Sequence, residues 1–516
     1  LGYWTNEWWA YLMPKLAQCQ QDTADLMDSR DAIAGLSPVG EFPRIGAKGQ
    51  ELKNPAMRFS FPTQQFNDLS GDDAKVIYTL PDGTWRSADV DSVDSDALTI
   101  DLEWGEKQQA AGHLPETVIA HTWVPTDKKR LALFDFAERL LEGRKPNPVT
   151  NALLRGELPR FMAGGGPEHG VFTDDPKEMC SWVTQLDRSY VAVQGPPGTG
   201  KTYRAAHLVH ALVKAGKRVG VTAPNHRCIE NVLREVISVF TEKGDLLLLN
   251  GIRVKAKGRK PTLDGFKYGD ADKSCRPDVN VVAGTSWLFS NDKMTDAPVD
   301  VLLIDEAGQY ALADALAASR AARNLILLGD PLQLPQVNLA NHPGGGGRSA
   351  LGHVLSEDVT LPADRGVFID ETRRMHPDVC RFISQQIYNG KLGWHKDCEQ
   401  QTTVAGTGLR WLKAEHQGNS TSSTEEAAII ADRIFRLVGT PWTDFKGATK
   451  PLTVDDFMVV TPYNDQVRTI RKALNADPRT EGVPVGTVDK FQGGTAAAVF
   501  FSTATSTGAE IVRGVD

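Results

Sequence analysis

Residues 195–202, Gly-Pro-Pro-Gly-Thr-Gly-Lys-Thr, are the stretch best equipped for chemistry. They follow a β-branched run, Val191-Ala192-Val193-Gln194, and precede Ala205, Leu208, Val209 and Leu212 at helical spacing. A strand, then Gly-x-x-x-x-Gly-Lys-Thr, then a helix is the setting that a phosphate-binding loop requires. Gly195, Gly198 and Gly200 let the backbone wrap closely and aim its N–H groups at phosphate oxygens, and Pro196, Pro197 and Thr199 complete the nucleotide-binding loop. The following helix N-terminus adds partial positive charge. Lys201 is placed to reach the β and γ phosphates, and the Thr202 hydroxyl to ligate Mg²⁺. ATP with Mg²⁺ is the expected ligand, although the motif does not say what it is used for.

Val301-Leu302-Leu303-Ile304-Asp305-Glu306 adds a second element of the same chemistry. Four apolar residues read as a parallel strand buried on both faces, with two carboxylates where it ends. Asp305 can hold Mg²⁺ through water, because that ion prefers oxygen ligands and keeps its own waters. Glu306 can orient and deprotonate an attacking water. A surface acidic turn is the bland reading, and the phosphate loop upstream argues against it. Leu325-Ile326-Leu327-Leu328-Gly329-Asp330-Pro331-Leu332-Gln333 is another buried strand with a polar turn, and the neutral amide of Gln333 suits contact with a γ-phosphate or the attacking water. Arg218–Asn225 reads as a further strand and turn before a helix from about Ile229. Loops at the carboxyl ends of such strands carry ligand contacts in open α/β sheets.

These three motifs, with Arg374-Met375-His376-Pro377, Thr461-Pro462-Tyr463-Asn464 and Val485-Gly486-Thr487-Val488-Asp489-Lys490-Phe491-Gln492-Gly493, resemble those of superfamily 1 helicases. The closest branch is that of the up-frameshift (nonsense-mediated-decay) helicases, and more narrowly bacterial proteins in which this motor follows a RecB-like nuclease domain. The resemblance covers about residues 178–516. It implies two RecA-like domains with ATP in the cleft between them, and 5′-to-3′ movement on single-stranded DNA or RNA. It also implies an arginine finger at Arg374, and strand contacts at Pro224, Asn225, Thr285, Thr461 and Thr487. Backbone and hydroxyl groups of that kind position a strand through its phosphates without reading sequence. Each of them alone is as readily a helix cap.

The chain departs from the family pattern in three places. Arg373 stands where an aromatic normally stacks on the base, and a guanidinium plane can stack in its place. Gly494-Thr495 replaces the x-Glu that follows Phe491-Gln492-Gly493. The last helicase motif, with a second arginine, is expected beyond Asp516, and the nuclease domain upstream of Leu1. The chain as given is therefore expected to bind ATP–Mg²⁺ but to hydrolyse it poorly, because an arginine finger is worth roughly 10³ to 10⁵ in rate.

These residues need a scaffold to hold them. A chain of 516 residues is too long for one core. The expected fold class is α/β, with two RecA-like P-loop domains built on parallel sheets and preceded by a small β-barrel on a helical stalk. Residues 1 to about 35 read as helix (Trp4, Trp8, Tyr11, Leu12, Leu16), interrupted by Pro14. Met57, Phe59 and Phe61 alternate with polar residues, and Val76–Tyr78, Leu98–Leu102 and Val118–Ala120 follow with turns between them, which suggests an antiparallel barrel. Residues 127–143 return to helix with Leu131, Phe134 and Leu141 along one side, and Lys145–Pro148 and Gly164–Pro167 read as linkers. The divisions expected are 1–150 for stalk and barrel, 151–362 for the first RecA-like domain with an insertion at about 240–280, and 363–516 for the second.

The net charge of −8 argues against a uniformly basic nucleic-acid binder and leaves room for a local basic groove. Arg253, Lys255, Lys257, Arg259 and Lys260 form one basic run, readable as a strand contact or as a solvated loop. Six scattered cysteines without Cys-x-x-Cys point to free thiols in a reducing, cytoplasmic compartment. No apolar run is long enough to span a bilayer, and no signal peptide is evident. Two other functions fit part of the pattern. An ATP-switched clamp on nucleic acid would not need Glu306, and a P-loop enzyme acting on a small molecule would not need a second set of ordered motifs.

Overall fold

Residues 32–121 build seven strands: β1 (Ala32–Ala34), β2 (Ser37–Phe42), β3 (Ala56–Ser60), β4 (Lys75–Thr79), β5 (Trp85–Asp94), β6 (Thr99–Glu103) and β7 (Thr117–His121). The computed structural model describes residues 1–46, 49–64, 66, 69, 74–254, 263, 265–491 and 493–506. The seven strands pair antiparallel in the order β1-β7-β4-β5-β6-β3-β2. Alternation sets the register, with Phe59 opposite Ile100 and Met57 opposite Leu102. These residues share one core with Ile33, Val76, Tyr78 and Val118. Among the described residues no ladder joins the two outer strands, β1 and β2.

Several local expectations are revised here. The N-terminal helix ends at Gln18 after running through Pro14, a short helix covers Thr23–Met27, and the chain then turns extended. Ala32-Ile33-Ala34 pairs with β7, so tertiary pairing overrides the helical preference of alanine. β2 and β5 carry no clear strand signal, because β2 is almost wholly exposed and contains Pro38 and Gly40, whereas β5 is largely polar and a register shift between Val90 and Ser92 breaks its alternation. In the helix Asp127–Leu141 the buried apolar residues are Ala132 and Leu133, whereas Leu131, Phe134 and Leu141 are 60%, 42% and 87% exposed. The Lys145–Pro148 segment leads straight into a helix, Pro148–Arg155, whose first position is the proline and whose N-cap is Asn147. The Asn147 side chain accepts from Val149 N (3.1 Å) and Thr150 N (3.4 Å).

The chain divides into two compact units, residues 1–131 with 337–347, and residues 132–336 with 348 onward. In the first unit, the returning segment 337–347 is held by helix Tyr3–Gln18. The buried Glu7 carboxylate accepts from Leu339 N and Ala340 N (3.1 Å each) and pairs with His342 Nε2 at 2.7 Å. Tyr3 donates to Asn338 Oδ1 at 2.9 Å and stacks on the His342 ring. Three partners for one carboxylate offset the cost of burying it.

The second unit is built on a sheet of eight parallel strands: β8 (Tyr190–Gln194), β9 (Val219–Thr222), β10 (Gly251–Val254), β11 (Phe266–Gly269), β12 (Val281–Ala283), β13 (Val299–Ile304), β14 (Ala322–Gly329) and β15 (Gly366–Phe368). Their order is β11-β10-β12-β9-β13-β14-β8-β15. The period of two splits each apolar run between two cores. Val191, Val193, Val301, Leu303, Ile326 and Leu328 enter one, and Tyr190, Ala192, Leu302, Ile304, Leu325 and Leu327 the other. That double burial is why the runs are continuously apolar, each large side chain contributing about 1.5–3 kcal/mol. A second, smaller parallel sheet joins Val485–Gly486, Phe457–Val460 and Ala498–Phe501 in that order.

Candidate active site

β8 ends at Gln194, and the next amide, Gly195 N, donates to Gly329 O at the end of β14 (2.9 Å). The loop 195–200 is thus pinned to two strand ends before the helix Lys201–Lys214 begins. Gly198 and Gly200 have φ of +78° and +80°, where a side chain is strained. Thr199 Oγ1 donates to Pro196 O (2.8 Å), Lys201 Nζ to Gly195 O (2.6 Å), and Arg204 to Thr199 O (2.8 Å). Thr202 lies in the first turn, half-buried.

Asp305 and Glu306 follow β13, between β9 and β14. Asp305 N donates to Thr222 O (2.9 Å). Its carboxylate is buried, and Oδ1 has no hydrogen-bond partner. Burial first, and the Glu306 charge second, push this carboxyl up to about 7, against the pull of Lys201. Glu306 sits at φ +52°, a left-handed conformation held by the surrounding turn: Ala307 N donates to Leu328 O (2.7 Å) and Gln309 N to Glu306 O (2.8 Å). A buried orphan carboxylate oxygen is the chemistry that accepts a hard cation. Among the described residues no group of three or more His, Cys, Asp and Glu could hold a metal ion. Any cation here would therefore draw its remaining ligands from a phosphate, a hydroxyl or water.

The segment Thr372–Arg374 lies directly on the phosphate loop. Thr372 Oγ1 donates to Pro197 O and Arg373 N to Gly198 O, each at 2.9 Å. A Cβ at Gly198 would fall 2.6 Å from Thr372 Oγ1 and nearer still to Arg374 Cβ. Arg374 donates to Gly494 O at 3.4 Å, and among the described residues it pairs with no carboxylate. Burial lowers the proton affinity of its guanidinium. Arg373 is exposed and leans toward Glu371 (3.5 Å). Gln333 Nε2 donates to Asp330 Oδ2 at 3.0 Å.

Sheet order also decides what the remaining predicted residues neighbour. Pro224 and Asn225 follow β9 and Thr285 follows β12, its paired neighbour, on the same strand-end edge as the phosphate loop. Asn225 accepts from Cys228 N (2.9 Å) and so caps a helix that starts at His226. Thr285 occupies an N-cap position without a side-chain bond. Thr461 and Thr487 adjoin each other after Val460 and Gly486. Thr461 is fully buried with Oγ1 unpartnered, and Thr487 is half-buried. Of the basic run, Arg253 is fully buried. It pairs with Glu230 (2.9 Å) and donates to His226 O (3.1 Å), which makes it a structural cation. Lys255, Lys257, Arg259 and Lys260 lie outside the described residues, as does Gln492. Sequence reasoning missed Thr372, whose only signal is its position before Arg373-Arg374. It also missed Asp330, which carries the same strand-end signal as Asp305.

The parallel sheet with Gly195–Thr202 at a strand end defines a P-loop nucleotide-binding fold. Two AAA domain models match the chain, over residues 173–344 and 352–512. The chain is 24% identical over 353 residues to the DNA replication ATP-dependent helicase/nuclease JHS1 of Arabidopsis thaliana, spanning 63% of this chain and 25% of that protein. It is 23% identical over 402 residues to regulator of nonsense transcripts 1 of Caenorhabditis elegans, spanning 67% of this chain and 36% of that one. Among solved structures, Arterivirus nonstructural protein 10 (helicase) matches with 15% identity over 93% of this chain and 73% of its own, at a TM-score of 0.35. The chain carries two AAA domains and is homologous to the superfamily 1 helicases, although it spans well under half the length of these curated relatives. Among the described residues no helix is long and apolar enough to cross a membrane, and all six cysteines are free.

Proposed function

We propose that this protein is an ATP-dependent motor that moves 5′-to-3′ along single-stranded nucleic acid, and that its complete chain includes a RecB-like nuclease domain. One observation carries the ATPase part of the reading: a half-buried arginine that pairs with no carboxylate among the described residues, Arg374, rests on a phosphate-type loop, and Asp305, within reach of the Lys201 charge at the end of that loop, keeps an orphan carboxylate oxygen. Both groups lack the counter-charge that a nucleoside triphosphate with its cation brings.

In this reading the backbone N–H groups of Gly198, Gly200, Lys201 and Thr202, with the Lys201 ammonium, hold the phosphates on the loop 195–200. Thr202 and Asp305 would hold Mg²⁺, which supplies charge neutralisation on the phosphate oxygens. Glu306 takes a proton from the attacking water, and its constrained backbone fixes where the carboxylate points. Gln333 orients that water or the γ-phosphate, and Arg374 stabilises the charge that develops as the phosphoryl group transfers. Arg373 stacks on the base. Residues 151–362 and 363–516 act as two lobes whose closure on ATP and reopening after hydrolysis advance the strand, with 1–150 as an accessory domain. Pro224, Asn225, Thr285 and Thr487 line the strand path, and Thr461, whose hydroxyl is buried and whose N–H donates to Gly486 O, adjoins Thr487 there.

The test is strand separation by the full-length protein on duplexes with a single 5′ or 3′ tail, in DNA and in RNA. ATP-dependent unwinding of the 5′-tailed duplex alone is expected. Preference for the 3′ tail would overturn the direction, and tight strand binding without unwinding would favour the clamp.

A further inference from the structure

Asp330 directly follows β14, four residues before Leu334, and is only 2% exposed. Its carboxylate collects four donors. Oδ1 accepts from Leu332 N (3.2 Å) and Gln194 Nε2 (3.4 Å), and Oδ2 accepts from Gln333 Nε2 (3.0 Å) and Tyr388 OH (2.6 Å). Gln194, the residue just before the phosphate loop, is fully buried. It spends its other groups on the backbone at Val359 and Leu361. Tyr388 is 1% exposed and ends the helix Pro377–Ile387. That helix starts three residues after Arg374 and is about 16 Å long at 1.5 Å per residue. A rigid rod thus carries the Arg374 segment at one end and the Asp330 ligand at the other.

We propose that Asp330 and Tyr388 are positioning residues that set the orientation of Gln333 and tie it to the segment bearing Arg374. Gln333 Nε2 has two hydrogens, and one is committed to Asp330, which fixes the amide plane and leaves the second N–H and Oε1 for a ligand. The short Tyr388 bond holds the same oxygen, so a shift of the helix changes where Gln333 points. Burial, and the adjacent Asp330 carboxylate, keep the Tyr388 hydroxyl protonated as a donor. A buried carboxylate that serves the Gln333 turn, the strand leading into the phosphate loop and the far helix does more than close one strand end.

The inference rests on the ATPase reading, and the experiment separates the two. Steady-state ATP turnover, with and without single-stranded DNA and RNA, is measured on the full-length protein and on Tyr388→Phe, Gln333→Ala and the double variant. Tyr388→Phe removes one hydroxyl, and Asp330→Asn serves as a second, volume-conserving probe should it fold poorly. Expected are a kcat lowered about tenfold by Tyr388→Phe with the KM for ATP unchanged, and less than about a twofold further effect once Gln333 is alanine. A normal kcat in Tyr388→Phe with only a lowered melting temperature would overturn the inference. So would a tenfold loss that persists undiminished in the Gln333→Ala background. Absence of ATP turnover in the unaltered protein would instead overturn the ATPase reading itself.

Discussion

Gly198→Ala should uncouple ATP binding from ATP hydrolysis. The backbone at 198 has φ +78°, so alanine there carries strain of about 1–2 kcal/mol. The new Cβ would lie 2.6 Å from Thr372 Oγ1 and closer to Arg374 Cβ. Non-bonded carbon contacts are comfortable only at about 3.5–4.0 Å. The obstacle is a Cβ and a hydroxyl close to the backbone, which cannot swing aside as a long side-chain tip can. Relief therefore needs about 1 Å or more of movement of Thr372–Arg374 away from the loop, or about 1–3 kcal/mol of overpacking if the segment stays. Misplacing a catalytic group by about 1 Å costs on the order of 10² in rate. The three atoms nearest the added methyl all belong to Thr372 and Arg374, none to Lys201, so affinity should change by only a few-fold. The assay pairs titration with a fluorescent ATP analogue and steady-state turnover, with thermal unfolding as the check on folding. Retained binding with a turnover about 10²-fold lower is predicted. Normal turnover in a stable Gly198→Ala protein would show that Arg374 does not act from its seat on the loop.

Other predictions follow the same geometry. Glu306→Gln should keep ATP binding and lower turnover by about 10²-fold or more, read by the same two assays. Arg253→Ala should destabilise by about 2–5 kcal/mol in denaturant unfolding, because it empties a fully buried site and removes the nearer of two cations from Glu230. A stable variant that binds strands weakly would return Arg253 to the nucleic-acid path. Glu7→Ala should raise hydrogen exchange at the Leu339 and Ala340 amides and leave β13 unaffected, since those two donors lose their acceptor. Burial first, then the Glu306 and Asp305 charges, push the Cys228 thiol up to about 11. Thiolate is then scarce at pH 8, so its alkylation rate should climb about tenfold per pH unit up to about pH 11. A plateau near pH 9 would contradict that environment.

The parallel core was legible because burial on both faces of a sheet demands unbroken apolar runs, and Val301–Ile304 and Leu325–Leu328 show them without help from any distant residue. The phosphate loop was legible for a similar reason, since its glycines answer to local backbone needs. What stayed hidden depended on long-range pairing. β5 is polar and bulged, and nothing local marks it as the partner of β4 and β6. The seat of Thr372–Arg374 on Gly198 joins residues more than 170 positions apart, and so does the bond from Thr372 to Pro197. Arg253 read as one more basic loop residue because charge is visible in a sequence and its burial against Glu230 is not. Leu131, Phe134 and Leu141 misled in the opposite way: apolar spacing marked a face, but the helix buries Ala132 and Leu133 instead.

The central claim is that ATP turnover at Lys201, Glu306 and Arg374 serves movement on a nucleic-acid strand. The most direct test is turnover by the full-length protein with and without single-stranded DNA or RNA, with Lys201→Ala as control. Stimulation by at least one strand type, which then names the track, is expected, with no turnover by the Lys201→Ala protein with or without strand. Turnover that no strand stimulates would contradict it and point to a small-molecule substrate.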